Sequence, residues 1–131
     1  MYVKTYAGAV FGINATIITV EVDVSIGLNF LMVGLPDSAV KESQQRVESA
    51  LRINGYSLPG KRIVINLAPA DIRKEGSAYD LSIAIGILAA AEKIKNDLLK
   101  NFIILGELSL DGTIHPMKGA QIGRASCRER V

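Results

Sequence analysis

Six side chains able to carry charge or attack a carbon, Asp71, Arg73, Lys74, Glu75, Ser77 and Asp80, fall within ten residues of LAPADIRKEGSAYDLSIAIGIL, Leu67 to Leu88. A charged loop that ends in a helix start can hold a group at the helix's first turn, where the backbone dipole favours an acid such as Asp80. Three readings of the loop stand together. Arg73 with Glu75 or Asp71 makes it a salt-bridged structural loop that turns at Gly76. Arg73 and Lys74 facing solvent make it a contact for a neighbouring subunit or a nucleic-acid phosphate. Carboxylate catalysis is the third, although no partner acid or metal-ligand spacing accompanies it. Ser77 is expected to cap the helix that follows.

Other chemistry-bearing residues are less persuasive. Gly55-Tyr-Ser-Leu-Pro-Gly-Lys61-Arg62 nearly spells a phosphate loop, but Arg62 stands where a Ser or Thr would hold magnesium. A helix before it and a strand after it leave no helix N-terminus aimed at a phosphate. His115 is the single histidine, and a metal site needs three or four donors. Glu107 and Asp111 keep the edge of a hairpin soluble. Tyr2, Tyr6, Phe11, Phe30, Tyr56, Tyr79 and Phe102 are too dispersed to form a base-stacking platform.

The elements that position these groups follow from periodicity. Ile18, Val20, Val22 and Val24 alternate with Thr19, Glu21, Asp23 and Ser25, the pattern of a half-buried strand. Val3 to Phe11 is its expected antiparallel neighbour through Gly12-Ile13-Asn14, and Phe30 to Val33 a short third strand. Asp37 or Ser38 caps a helix to about Ile53 that buries Val40, Val47, Ala50 and Leu51. Lys41, Glu42, Gln45, Arg46, Glu48 and Arg52 are expected in solvent, and Asn54-Gly55 forms the exit. Arg62 to Leu67 and Asn101 to Gly106 read as buried strands. The helix after Gly76 is apolar nearly all round, so it must be covered on most sides. Asp111-Gly112 reads as a two-residue hairpin turn inside GELSLDGTIHPMKG, Gly106 to Gly119, placed beside that helix.

Composition sets the bounds. At 131 residues and 49% hydrophobic content the chain supports one core. Arg124, Arg128, Arg130 and Glu129 supply the whole formal charge of +2, leaving residues 1–123 balanced at 12 basic and 12 acidic side chains and without a net footprint for nucleic acid. Cys127 is alone, which excludes an intramolecular disulfide and fits a reducing cytoplasm. The longest apolar helical segment, Leu81 to Ala91, is 11 residues, about half a bilayer span, so no membrane partner is expected.

With VGLPDSAVKESQQRVESAL from Val33 to Leu51, the loop–helix and hairpin segments resemble the N-terminal domain of ComM-type, magnesium-chelatase-like AAA+ ATPases, whose fold is similar to the proteolytic domain of Lon. The resemblance covers residues 1–120 and implies an α/β (α+β) two-layer sandwich: a mixed sheet, two main helices and a C-terminal hairpin. It maps Asp71 to Gly76 onto the family's Pro-Ala-Asp-Ile-Lys-Lys-Glu-Gly motif. Aligned on the Lon protease's serine loop and lysine, this chain has Ala78 and Gln121, and neither a methyl nor a neutral amide can supply that chemistry. A displaced pair, Ser77 with Lys118, is the enzyme alternative, but one residue's slip at a helix start turns a side chain by about 100°.

The resemblance further implies a non-catalytic accessory domain in a cytoplasmic, hexameric parent that remodels DNA branches in transformation and recombination. Self-association with AAA+ subunits, and DNA, are the partners it implies. No cofactor is expected in this chain; ATP and magnesium belong to an ATPase domain outside it. A chelatase-related role is a further alternative. Residues 121–131 depart from the family pattern and read as an Arg-rich cloning or assembly remnant.

Overall fold

The alternating run becomes the centre of β2 (Asn14–Ile26), and its inward residues Ile18, Val20, Val22 and Val24 are buried. The computed structural model describes residues 1–11, 14–58 and 60–116. Gly12 and Ile13 of the expected connection, Pro59 of the near-phosphate loop, and Lys118, Gln121 and the Arg-rich tail lie outside them. β1 (Tyr2–Phe11) pairs antiparallel with β2, setting Val3 against Val22 and Ala7 against Ile18. β3 (Phe30–Val33) runs parallel to β4 (Lys61–Ala68), which is antiparallel to β2, so the sheet order is β1-β2-β4-β3. Register builds rows across the strands: Val3, Val22, Ile65 and Met32 share one, as Val24, Ile63 and Phe30 share another. One slipped residue would turn each row to the opposite face.

Asp37 caps α1 (Ser38–Lys41) by accepting from the Val40 amide at 2.8 Å. The expected single helix is jointed at Glu42 and resumes as α2 (Ser43–Ile53). Gly55, at φ 86°, ends α2 by the six-to-one bond Tyr56 N to Leu51 O and the inner bond Gly55 N to Arg52 O. α3 (Asp80–Ala90) lies across β1 and β2 and beside α2. Ile83 and Ile87 are fully buried on it, each contributing about 1.5–3 kcal/mol through apolar area removed from water. Together these elements form the mixed α/β (α+β) architecture: a four-stranded mixed sheet, two main helices and a small hairpin.

Two expectations change. Asn101 to Gly106 is not a strand: a 3-10 turn (Leu99–Asn101) leads into an irregular segment. Ile104 donates to Tyr6 O at 2.7 Å, while Gly106 exchanges bonds with Ala78 O and Leu81 N. The segment's backbone is thus divided between β1 and the start of α3, and no ladder forms. The hairpin of β5 (Glu107–Leu108) and β6 (Ile114–His115) has a three-residue rather than two-residue connection. Ser109 pairs with Thr113, and Leu110-Asp111 turn before Gly112 takes φ 92°.

Candidate functional site

Between β4 and α3 the chain forms a strap, residues 69–79, that carries the charged loop. It is bridged to Leu35-Pro36-Asp37: Lys74 N donates to Leu35 O at 3.0 Å and Asp37 N donates to Lys74 O at 2.9 Å. The two basic residues part here. Arg73 is exposed, its Nε 3.8 Å from Glu75 Oε1 with both side chains about 70% in solvent; a pair so open adds little stability. Lys74 is fully buried, and its Nζ donates to Gly34 O at 2.7 Å and to Pro69 O. Of the pair expected to meet a partner, Arg73 alone faces solvent. Lys74 binds the strap to the turn after β3, and burial pushes its ammonium below the usual lysine range, opposed weakly by Asp71.

Ser77 does not cap the helix. α3 starts two residues later than that role requires, behind Tyr79, with no side-chain cap bond. Ala78 O accepts from Gly106 N at 3.1 Å, so the irregular segment leading into the hairpin fixes the junction. The buried Tyr79 hydroxyl is pushed up to about 12, first by loss of water and then by the carboxylates of Asp37 and Glu75. Gly76 makes its turn at φ 85°, and Asp71 and Glu75 stay exposed.

Asp80 is the acid at the helix start, and all its oxygens are engaged. It is fully buried and accepts from Ser43 Oγ at 2.5 Å, Arg46 Nε at 2.6 Å, Arg46 Nη2 at 3.0 Å and Leu108 N at 3.0 Å. Arg46, expected in solvent, therefore turns inward, its side chain 20% exposed, and the hydrogen bonds to Asp80 hold its guanidinium more firmly charged. Ser43 and Arg46 lie on the border of the Val47–Ala50–Leu51 stripe, the only sequence sign of this inward role. The cluster joins α2, α3 and β5 and leaves Asp80 no free lone pair for proton transfer.

His115 is exposed on β6, its Nε2 2.6 Å from Ser109 Oγ. Asn54 Nδ2 bridges Ala50 O and Asp111 O, pinning the hairpin tip to the end of α2. Among the described residues no three His, Cys, Asp or Glu side chains are arranged to hold a metal, and no helix is long and apolar enough to cross a membrane. Lys61 and Arg62 open β4 instead of a helix; this arrangement does not fit a nucleotide's phosphates.

Comparison with known proteins places these features in a family. The family model described as subunit ChlI of Mg-chelatase matches residues 20–130. The chain is 51% identical over 113 residues to the uncharacterized protein YifB of Escherichia coli (strain K12), covering 86% of this chain and 22% of that protein. It is 47% identical over 115 residues to the competence protein ComM of Haemophilus influenzae, covering 87% of this chain and 23% of that protein. The chain thus spans about a fifth of the length of the curated relatives it matches. With the match running through β2, both main helices and the hairpin, the chain belongs to the magnesium-chelatase ChlI-like family that includes ComM and YifB.

Proposed function

We propose that this chain is a non-catalytic accessory domain of a ComM-like AAA+ ATPase, serving hexamer assembly and DNA branch remodelling in transformation and recombination. The carrying observation is the inward commitment of Lys74 and Asp80, two of the ionisable groups of the strap and helix start. Asp80 accepts hydrogen bonds from Ser43, Arg46 and Leu108, and Lys74 donates to two main-chain oxygens, while Ala78 stands where the resemblance to Lon's serine loop puts the nucleophile. Groups so bound position elements and do not transfer protons. Similarity to a protein named for competence supports the DNA-uptake setting. ATP and magnesium chemistry is assigned to a segment outside this chain.

Two measurements on the full-length protein test the reading. Arg73→Ala is expected to weaken subunit association or DNA affinity; if both are unaltered, Arg73 has no such role. A serine-directed activity probe is expected to leave Ser77 unlabelled, and labelling that depends on Lys118 would establish the peptidase alternative instead. Membership of a family described by the ChlI subunit of Mg-chelatase favours a chelatase-related role as the second reading. A pull-down recovering porphyrin enzymes in place of DNA-processing proteins would establish it.

A further inference from the structure

The strap stands at one end of β3 and β4, and a groove of about 400 Å³ stands at the other. Leu28, Phe30, Tyr56 and Leu58 supply the groove's apolar wall, and Arg52 and Lys61 its cations, with Glu48 beside them. Leu28 is 90% exposed, and among the described residues neither Arg52 nor Lys61 has an ion pair. Its net side-chain charge is therefore positive.

The strap end has the opposite character. Asp71 and Glu75 are exposed and Asp37 is partly so; Arg73 leans on Glu75, and the other cation, Lys74, is sealed beneath. Next to them Leu35 is 53% exposed and sits at φ 55°, held by the bond from Lys74 N to its carbonyl. A phosphate approaching this end meets more negative than positive charge, so a nucleic acid is disfavoured. A cationic rim around an apolar recess suits it, and the same chain carries one. The eight residues of β4 hold the two ends about 25 Å apart, so they cannot meet within one molecule.

We infer that the strap end of one copy docks in the groove of a second copy, with Leu35 against the Leu28–Tyr56 wall and Asp71 and Glu75 facing Arg52 and Lys61. Both ends stay open on every copy, which makes the contact heterologous: successive subunits close into a ring or continue as a filament. The rigid backing of the strap by Lys74 lowers the ordering cost of such docking. The inference rests on the self-assembly in the proposed function and assigns Arg73's neighbourhood to a subunit and not to DNA.

Charge exchange in the full-length protein tests it, with assembly followed by sedimentation and folding by circular dichroism. Asp71→Lys with Glu75→Lys, and separately Arg52→Glu with Lys61→Glu, are each expected to raise the concentration needed for assembly about tenfold or more. Mixing the two variants pairs each altered end with a complementary one on the other protein, and combining them in one chain restores both contacts, so assembly should return to within about threefold of the parent. Folded variants that assemble like the parent, or a combination that stays as weak as its components, would overturn the docking assignment while leaving the accessory-domain reading in place. A parent protein that remains monomeric at all concentrations would remove both. Unchanged assembly with altered DNA affinity would also overturn the docking and give the strap to nucleic acid.

Discussion

Gly86 of α3 lies so close to Val22 of β2 that a Cβ built on it would stand 2.6 Å from Val22 Cγ2. The helix rests on the sheet at this point because the residue has no side chain. Gly86→Ala gains up to about 1 kcal/mol of helix propensity but forces helix and strand apart, at about 1–3 kcal/mol. A net loss of stability in urea unfolding is expected. Val22→Ala should cost less stability in the Gly86→Ala background than in the parent, and strict additivity of the two changes would show that the contact is not the cause.

Asp80→Ala leaves the Arg46 guanidinium and the Leu108 amide without their acceptor. The expected loss is about 2–4 kcal/mol, lower than for a wholly sealed ion pair because Arg46 keeps some water. Urea unfolding measures the loss. Faster exchange of the Leu108 amide hydrogen should accompany it if the cluster pins β5 to α3.

Lys74→Met keeps length and loses charge. At neutral pH the variant should be about 1–3 kcal/mol less stable, because Gly34 O and Pro69 O lose their buried donor. The pH dependence has a definite sign. Burial holds the folded Lys74 below its ordinary 10.5, so the unfolded chain binds this proton more tightly, and stability rises with pH between the folded pKa and 10.5. Below that window the cost of the buried charge is present in full. The variant should lack this rise, which a comparison of unfolding curves across the alkaline range would reveal.

Glu92 ends α3 at φ 62°, where the bonds Lys93 N to Leu88 O and Glu92 N to Ala89 O complete a left-handed cap. Glycine adopts this conformation without the clash of a Cβ. Glu92→Gly should therefore raise the unfolding free energy by about 0.5–1 kcal/mol after its greater unfolded-state freedom is subtracted. A lowered melting temperature would contradict the cap's strain.

On the open face of the sheet, Tyr2 donates to Glu21 Oε2 at 2.6 Å and Asn66 donates to Glu21 Oε1 at 2.6 Å. The bond to the Glu21 carboxylate pushes the Tyr2 hydroxyl up to about 12, and the same donors hold Glu21 below 4.5. Glu21→Gln should bring the Tyr2 phenolate transition back toward 10.0, read by ultraviolet absorbance against a Tyr2→Phe control. The Glu21 contribution to stability is present above 4.5 and lost as the pH falls through its lower folded value.

Local patterns in the sequence reveal much of this architecture and little of its wiring. The alternation at Ile18–Ser25, the cap at Asp37 and the apolar circumference of α3 each leave a periodic trace, and each is present. Arg46 leaves only its place on the border of the α2 stripe, and a charged residue there reads as solvated until an acid 34 positions away is known to meet it. Lys74 is harder still: its partners are backbone oxygens, which every residue possesses. Asn101 to Gly106 has a strand's composition without a strand's neighbours, and the hairpin turn depends on one extra residue before Gly112.

Because β4 is threaded between β2 and β3, the sheet cannot be assembled in the order in which it is translated. The β1–β2 ribbon leaves the ribosome with one long edge bare, and β3 follows with nothing to join until Lys61–Ala68 has been synthesised. Val20, Val22 and Val24 stay uncovered longer still, until α3 (Asp80–Ala90) is made and lies across them, which makes the stretch before Asp80 the period of greatest exposure to chaperones and to aggregation.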